Sequence, residues 1–347
     1  MVGGCCGTTP DHIKALSEAV SRKGHSDKGH WRACTKLFQG FDFELPFLDA
    51  DSPEVRETSA YKLVGCSSLY QFQPYRQDTS FLIVGEKTNA NGSKAFRDML
   101  AAENWDGLTE LARELEQEGS HVLDVCCAYV GRNEEQDMRT LLSHYNRHVT
   151  VPLMIDSTET RVIEVALQHT AGKAIVNSIN FEDGEARLKA VLKLCRKYGA
   201  AVVALTIDED GMAKTVESKV GIARRILAET RAAGLPDHDV FFDCLTFTLG
   251  SGDEEFRKSA LSTLDAIREI KRLYPNTNSI LGVSNVSFGL KPSARAALNS
   301  VFLHYALDSG LTAAIVHGSK IRPQSKIDPE VWEVCADLIF DRRVFAA

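Results

Sequence analysis

From residue 79 onward, short apolar runs alternate with longer amphipathic ones. The apolar runs are residues 81–85, 121–126, 151–155, 173–178, 201–207, 240–243, 279–283 and 312–316. Each is β-branched or apolar nearly throughout and bounded by polar residues or glycine, the pattern of a strand buried on both faces. Between them the period changes to that of a helix. Residues 184–198 place Ala186, Leu188, Val191, Leu192 and Cys195 on one face, and 253–273 do the same with Phe256, Ala260, Leu264, Ile267 and Ile270. Residues 216–233 and 293–309 repeat the pattern. Asp156-Ser157-Thr158-Glu159 can cap a helix over 160–169, Ser293 follows Pro292 at another start, and Gly199 and Gly234 are stops. Residues 1–75 are less regular. They hold a helix candidate at 10–20, a Gly/His/Lys/Asp stretch at 24–29 and a turn at 49–53. There is no internal repeat.

Strand and helix alternating about eight times over about 260 residues predict a (β/α)₈ barrel, a TIM-type α/β fold, preceded by an extended N-terminal linker segment. A doubly wound open sheet is the alternative. That fold is expected to carry a glycine-rich phosphate loop after its first strand, where this chain has Glu86-Lys87-Thr88-Asn89-Ala90-Asn91-Gly92-Ser93.

Composition narrows the class. Of 347 residues, 44% are hydrophobic and 25% charged, a balance that supplies a core and excludes a disordered or collagen-like chain. No apolar run approaches the roughly 20 residues of a membrane helix. Forty Lys and Arg against 47 Asp and Glu give a net charge of −7, with no basic block, so neither nucleic acid nor a membrane is expected as a partner. Nine cysteines, an odd number, behind an N-terminus without a secretory pattern predict free thiols and a cytoplasmic location.

The strand ends carry the candidate chemistry, because that face of a barrel presents its catalytic groups. In order they are Glu86 and Asn89, Asp124, Asp156, Asn177, Asp208, Asp243, Asn285 and His317. Carboxylates and carboxamides dominate, and Lys and Arg are nearly absent from these positions. Such a ring offers donors and acceptors to a neutral, nitrogen-rich heterocycle, whereas a phosphorylated sugar calls for cations or helix N-termini. A strand-end Asp can equally be a helix cap, as Asp156 could be, and His317 can be a satisfied core histidine. Cys126, Cys127, Cys195 and Cys244 fall in apolar patterns and read as core residues.

Residues 81–93, FLIVGEKTNANGS, resemble the folate-binding (pterin-binding) barrel of the cobalamin-dependent methionine synthase family. HVLDV at 121–125, VPLMIDST at 151–158, IVNSIN at 175–180, ALTIDEDG at 204–211, FFDCLTFTLGSG at 241–252 and GVSNVSFGL at 282–290 extend the likeness over about residues 60–340. The resemblance implies that Asp156, Asn177 and Asp243 grip the pterin and that Asn285 lies near its N5. Glu86, Asn89, Asp124 and Asp208 fall where the family also carries polar residues. The implied substrate is 5-methyltetrahydrofolate, whose N5-methyl group passes to a cob(I)alamin held by a domain absent from this chain. Asn285 is the implied catalytic residue, and Asp156 or a water is the candidate proton donor. Residues 3–10, GGCCGTTP, resemble the end of the homocysteine-binding barrel of the same enzymes, where paired cysteines are two of three thiolate ligands to zinc. Cys5 and Cys6 would thus be an incomplete zinc site whose third ligand lies outside the chain. His25, His30 and Cys34 could substitute, although a linker is the simpler reading of that stretch.

The resemblance therefore implies a piece of a larger methyltransferase with homocysteine- and cobalamin-binding domains as partners. Residues 1–75 would be a homocysteine-domain remnant plus linker, and 76–340 the pterin-binding barrel. Three departures from the family stand out. Lys87 occupies a common Arg position, Cys244 replaces the usual Pro after the sixth-strand Asp, and the loop at 126–132 lacks the acidic residues of some relatives. Two other readings stay open. One is a dihydropteroate synthase-like enzyme, although EKTNANG is not that enzyme's first-strand motif. The other is a folate-binding module inactive in isolation.

Overall fold

A computed structural model describes residues 64–250 and 254–342. The helix candidate at 10–20 and residues Cys5, Cys6, His25, His30 and Cys34 lie outside them.

The described chain opens with an antiparallel pair, β1 (Gly65–Ser67) and β2 (Phe72–Pro74). Next come β3 (Leu82–Gly85), α1 (Lys94–Ala101), α2 (Trp105–Gln117), β4 (Val122–Val125), α3 (Glu134–His148), β5 (Leu153–Asp156), α4 (Thr160–His169), β6 (Ile175–Ile179), α5 (Glu185–Tyr198) and β7 (Ala201–Leu205). After a small antiparallel ribbon, β8 (Ile207–Asp208) and β9 (Gly211–Met212), follow α6 (Val216–Ala232), β10 (Val240–Asp243), α7 (Ser259–Leu273), β11 (Asn278–Gly282), α8 (Pro292–Asp308), β12 (Ala313–Val316) and α9 (Pro329–Ile339). β3, β4, β5, β6, β7, β10, β11 and β12 pair in parallel and close into an eight-stranded barrel, so the predicted fold class holds.

Strand alternation builds two cores. Leu82, Val84, Val122, Met154, Ile175, Val203, Phe241 and Ile280 point inward and fill the barrel. Their neighbours, such as Leu123, Ile155, Val202 and Phe242, point outward under the helices. Because both faces of every strand are buried, the strands read as unbroken apolar runs.

The β1–β2 pair closes the end of the barrel where the strands begin. It adds Cys66 and Tyr75 to the inner core, with the Tyr75 ring edge-on to Phe241 at 4.7 Å. The Tyr75 hydroxyl donates to Asp239 Oδ1 at 3.2 Å, and Lys173 Nζ binds the same oxygen at 2.6 Å. Gly172 must be glycine for this closure: its φ is +104°, and a Cβ there would stand 2.3 Å from the Ser67 carbonyl. The pair thus belongs to the barrel's compact unit, although the sequence pattern assigns it to the segment before residue 76. At three residues each, its strands are too short for a periodicity to show.

Two other sequence expectations are corrected. The run 201–207 is not one strand. It breaks at Thr206, whose N–H and hydroxyl both donate to the Asp243 carbonyl, at 3.0 and 3.1 Å, and the chain then turns out into the β8–β9 ribbon. Asp156 and Ser293 are not caps. α4 starts from Glu159 and α8 from Lys291, neither with a side-chain cap.

Candidate active site

The ends of β3 to β6 bring four predicted residues together. The segment after β3 continues the sheet alongside β4: Ala90 N–H donates to the Cys126 carbonyl at 3.0 Å, and Thr88 Oγ1 to the Asp124 carbonyl at 2.7 Å. This places Asn89, nearly fully buried, between two carboxylates. Its Nδ2 donates to Asp124 Oδ2 at 2.7 Å and to Asp156 Oδ2 at 2.6 Å, while its Oδ1 accepts from Asn91 N–H at 2.8 Å. Asp156 and Asn177 are direct partners across β5 and β6, and the Asn177 side chain is near enough to Asp124 to oppose the effect of burial on its carboxyl. Arg187, in the first turn of α5, fastens both loops by donating to the Thr158, Ser178 and Ser157 carbonyls at 2.9, 3.2 and 3.4 Å.

Burial governs the electrostatics of this cluster. It pushes both the Asp124 and the Asp156 carboxyls up from the ordinary carboxylate value, and at Asp124 the neighbouring Asp156 charge adds to the effect. Two carboxyls held around one amide are biased to share a proton. Asp124 Oδ1 is buried without a partner among the described residues, an acceptor or acid hydrogen left for a ligand.

Across the mouth, β10 ends on Asp243. Its Oδ1 accepts from Leu245 N–H at 2.7 Å, in a turn where Leu245 takes a left-handed φ of +59°. Two residues absent from the sequence reading hold this turn. Thr263 Oγ1 donates to the Leu245 carbonyl at 2.7 Å, and the fully buried Lys219 of α6 donates to the Cys244 carbonyl. The signal for Lys219 was present: it is a lone cation on the apolar face formed by Val220, Ala223, Ile226 and Leu227. Burial raises the Asp243 carboxyl to about 6, opposed by the Leu245 bond and the Lys219 charge.

Asn285 sits in the short turn Val283–Ser287 after β11, its Nδ2 against Gly282, where an added Cβ would stand 3.1 Å away. Ser287 Oγ donates to the Ser284 carbonyl at 3.2 Å, and Arg295 from α8 donates to Ser287 Oγ and to the Ser284 carbonyl at 3.2 and 3.3 Å. Glu86 accepts from Ser284 Oγ at 3.3 Å, and burial raises its carboxyl. Glu86, Asn285 and His317 line one cavity of about 640 Å³, together with Arg295, Lys320 and Asn299.

Residues 85–317 of this barrel match the pterin-binding enzyme family. The chain belongs to that family. Residues 1–20 match the homocysteine S-methyltransferase family. The chain is 44% identical to methionine synthase of Mycobacterium leprae and 43% identical to that of Mycobacterium tuberculosis, in each case over 99% of its own length and 27% of the relative's. It thus spans about a quarter of those proteins. Among solved structures, dihydropteroate synthase from Thermus thermophilus matches with a TM-score of 0.51 at 19% identity, over 78% of this chain and 97% of the other. The Xanthomonas albilineans enzyme matches with 0.52 at 17%, over 71% and 89%. At such identities these two speak for the fold.

In this member of the pterin-binding family, Asp208 stands apart from the other predicted residues. It lies in the β8–β9 ribbon, where its Oδ1 accepts from Asp210 N–H at 3.1 Å and its Oδ2 lies 3.6 Å from Arg225. His317 is tied locally, with Nδ1 3.1 Å from Ser319 Oγ and 3.7 Å from Glu118. The scarcity of cations at the strand ends does not extend to the residues just beyond them, since Arg295 and Lys320 reach the cavity from α8 and from the segment after β12. Cys126, Cys127, Cys195 and Cys244 are buried and free, and burial raises the thiols of Cys126, Cys195 and Cys244 to about 12, so they do not act as thiolates at neutral pH. Among the described residues, no group of three or more His, Cys, Asp or Glu is placed to hold a metal, and no helix is long and apolar enough to cross a membrane.

The value near 6 at Asp243 has a testable consequence. A heterocycle edge rich in N–H groups needs the ionised carboxylate as acceptor, so pterin affinity should fall as pH drops through about 6. Titrations at pH 5 and 7.5 read this, and Asp243→Asn should remove that part of the pH dependence. An identical profile in the two proteins would assign the dependence to another group.

Proposed function

We propose that the barrel binds 5-methyltetrahydrofolate and presents its N5-methyl group for transfer to cob(I)alamin, as the folate-handling part of a methionine synthase. The observation that carries this reading is the convergence of Asn89, Asp124, Asp156, Asn177 and Asp243 at the mouth of a barrel whose whole sequence aligns with methionine synthases. The match of residues 1–20 to homocysteine S-methyltransferases supports reading the N-terminal stretch as the end of a homocysteine-binding domain, with Cys5 and Cys6 as two ligands of a zinc site completed elsewhere.

Asp156, Asn177 and Asp243 would take the pterin's amino and ring N–H donors and its carbonyl. Asn285 would sit at N5. The cobalamin would be held by another domain and would supply the nucleophile that receives the methyl group.

An amide-like nitrogen anion is a poor leaving group, so N5 must gain a proton or a strong hydrogen bond by the transition state. The chain offers two sources besides water. Asp124 and Asp156 share Asn89 and are biased to share a proton, and Glu86 lines the same cavity as Asn285 with its carboxyl also raised by burial. An Asn at N5 can donate or accept by turning its amide, and so can follow the nitrogen through protonation. The acceptor would approach over the mouth, where Tyr129, Val130, Met212 and Phe288 are exposed on segments that follow the strands.

A dihydropteroate synthase-like reading draws on the cations Arg295 and Lys320, which could face a diphosphate. The full-length alignment with methionine synthases favours the first reading. Calorimetry tests it. The 347-residue chain should bind 5-methyltetrahydrofolate, and Asp156→Ala, Asn177→Ala and Asp243→Ala should each cost about 1–3 kcal/mol, the scale of leaving a buried polar group unpaired. Unchanged affinity in all three variants would sink the site assignment.

A further inference from the structure

Lys219 is fully buried in the first turn of α6. Burying an ammonium group is unfavourable, and a cation at a helix N-terminus meets the positive end of the helix dipole. Neither the core nor the helix therefore accounts for a lysine at this position.

Its surroundings point to Asp243. The ammonium donates to the Cys244 carbonyl, one residue beyond Asp243, and stands 5.2 Å from the centroid of the Phe247 ring. Phe247 stacks in turn on Phe256, with centroids 5.2 Å apart. Asp243 commits its Oδ1 to Leu245 N–H in the same turn, at 2.7 Å. The two charges thus meet on one short segment, away from water, where a through-space effect is strong. The other neighbours of Asp243 are uncharged. It is flanked in the barrel by Leu205 and Ile280, Thr263 reaches the turn from α7 with a hydroxyl, and burial raises the Cys244 thiol to about 12. Burial lowers the Lys219 ammonium, and Cys244 and Asp243 oppose that effect. Asp124 and Asp156, on the other side of the mouth, are governed by burial and by neighbouring carboxyls and amides.

We propose that Lys219 is a positioning residue for ligand binding: without touching the ligand, its buried ammonium is the counter-charge of Asp243, through which that carboxylate accepts the N–H edge of the pterin. The assignment rests on the folate reading above and deepens it. The mouth then has two unlike sides, a carboxyl pair that favours holding a proton and a single carboxylate kept ionised from behind.

The test is the pH dependence of 5-methyltetrahydrofolate affinity in the 347-residue chain. Lys219→Gln keeps a donor for the Cys244 carbonyl and removes the charge, whereas Lys219→Met removes both. A loosened turn would lower affinity by one factor at every pH. Loss of the counter-charge moves the Asp243 midpoint up by about one pH unit, so the fall in affinity from pH 8 to pH 6 should steepen roughly fivefold in both variants. In an Asp243→Asn background the same substitutions should add no pH dependence. A Lys219→Gln profile that matches the unaltered protein would overturn the proposal. The pairing can also be read without altering Lys219 and without folate. Charge coupling is mutual, so Asp243→Asn should lower the titration midpoint of the Lys219 amine, followed by NMR at its Cε. An unmoved midpoint would overturn the proposal even if neither Lys219 variant folded. Failure of the unaltered protein to bind folate, with that midpoint moved, would remove the folate reading rather than the charge pair.

Discussion

Asn285→Ala is expected to slow methyl transfer to cob(I)alamin by about 10–1000-fold at saturating folate, with little change in folate affinity. The reasoning starts from the neutral amide, whose replacement removes no formal charge from the site. If the amide acts on N5 as it becomes protonated, its bond is stronger in the transition state than in the ground state, and the loss appears in the rate. The alternative is that Asn285 merely shapes its turn, as asparagine often does. The structure bears on that alternative. The turn is held by Ser287, by Arg295 and by the Asn285 backbone carbonyl, which accepts from Phe288 N–H at 3.2 Å. These bonds survive the substitution. Single-turnover rates beside a melting curve separate the two. Joint loss of stability and binding would favour the turn, and an unchanged rate in a folded variant would end the catalytic assignment.

Asp124→Asn should make the protein more stable, by about 1–3 kcal/mol near pH 8, while impairing pterin binding. Asp124 is buried, lies beside Asp156, and has one oxygen unpaired among the described residues. Its folded carboxyl binds a proton more readily than the unfolded value of 3.8 allows, so the folded state takes up protons first as pH falls. Stability of the unaltered protein from this group therefore rises as pH drops from the folded value toward 3.8, and the penalty is full only above the folded value. The advantage of Asp124→Asn should be largest at alkaline pH and close toward pH 4. Urea unfolding at pH 5 and pH 8 reads the difference. A gap that widens on acidification would mean that the carboxylate is stabilised by its surroundings, contrary to the geometry.

The barrel was legible because parallel strands buried on both faces leave unbroken apolar runs, and all eight runs became its strands. Helices with one apolar stripe were legible as well: 160–169 is α4, and 216–233 differs from α6 by one residue. α1, α2, α3 and α9 went unassigned: α1 has only eight residues and α3 opens on a polar, acidic turn, whereas α2 carries an apolar stripe of Leu108, Leu111, Ala112 and Leu115 that the reading passed over. The run 253–273 shortened to α7 because its first residues form a separate tight turn at Glu254–Phe256. At the mouth, the residues on the strand ends were found by position alone. Arg187, Lys219, Thr263 and Arg295 were not, because each acts from a helix on a loop carbonyl or hydroxyl, a pairing that depends on how the helix packs and leaves no spacing in the sequence.

The Tyr75–Phe241 contact and the Lys173–Asp239 pair close the barrel end opposite the mouth. Between that closure and the mouth the inner core fills the barrel, so a ligand of the strand-end residues meets them from the mouth. On the proposed reading, folate and the methyl acceptor would have to meet at that one face.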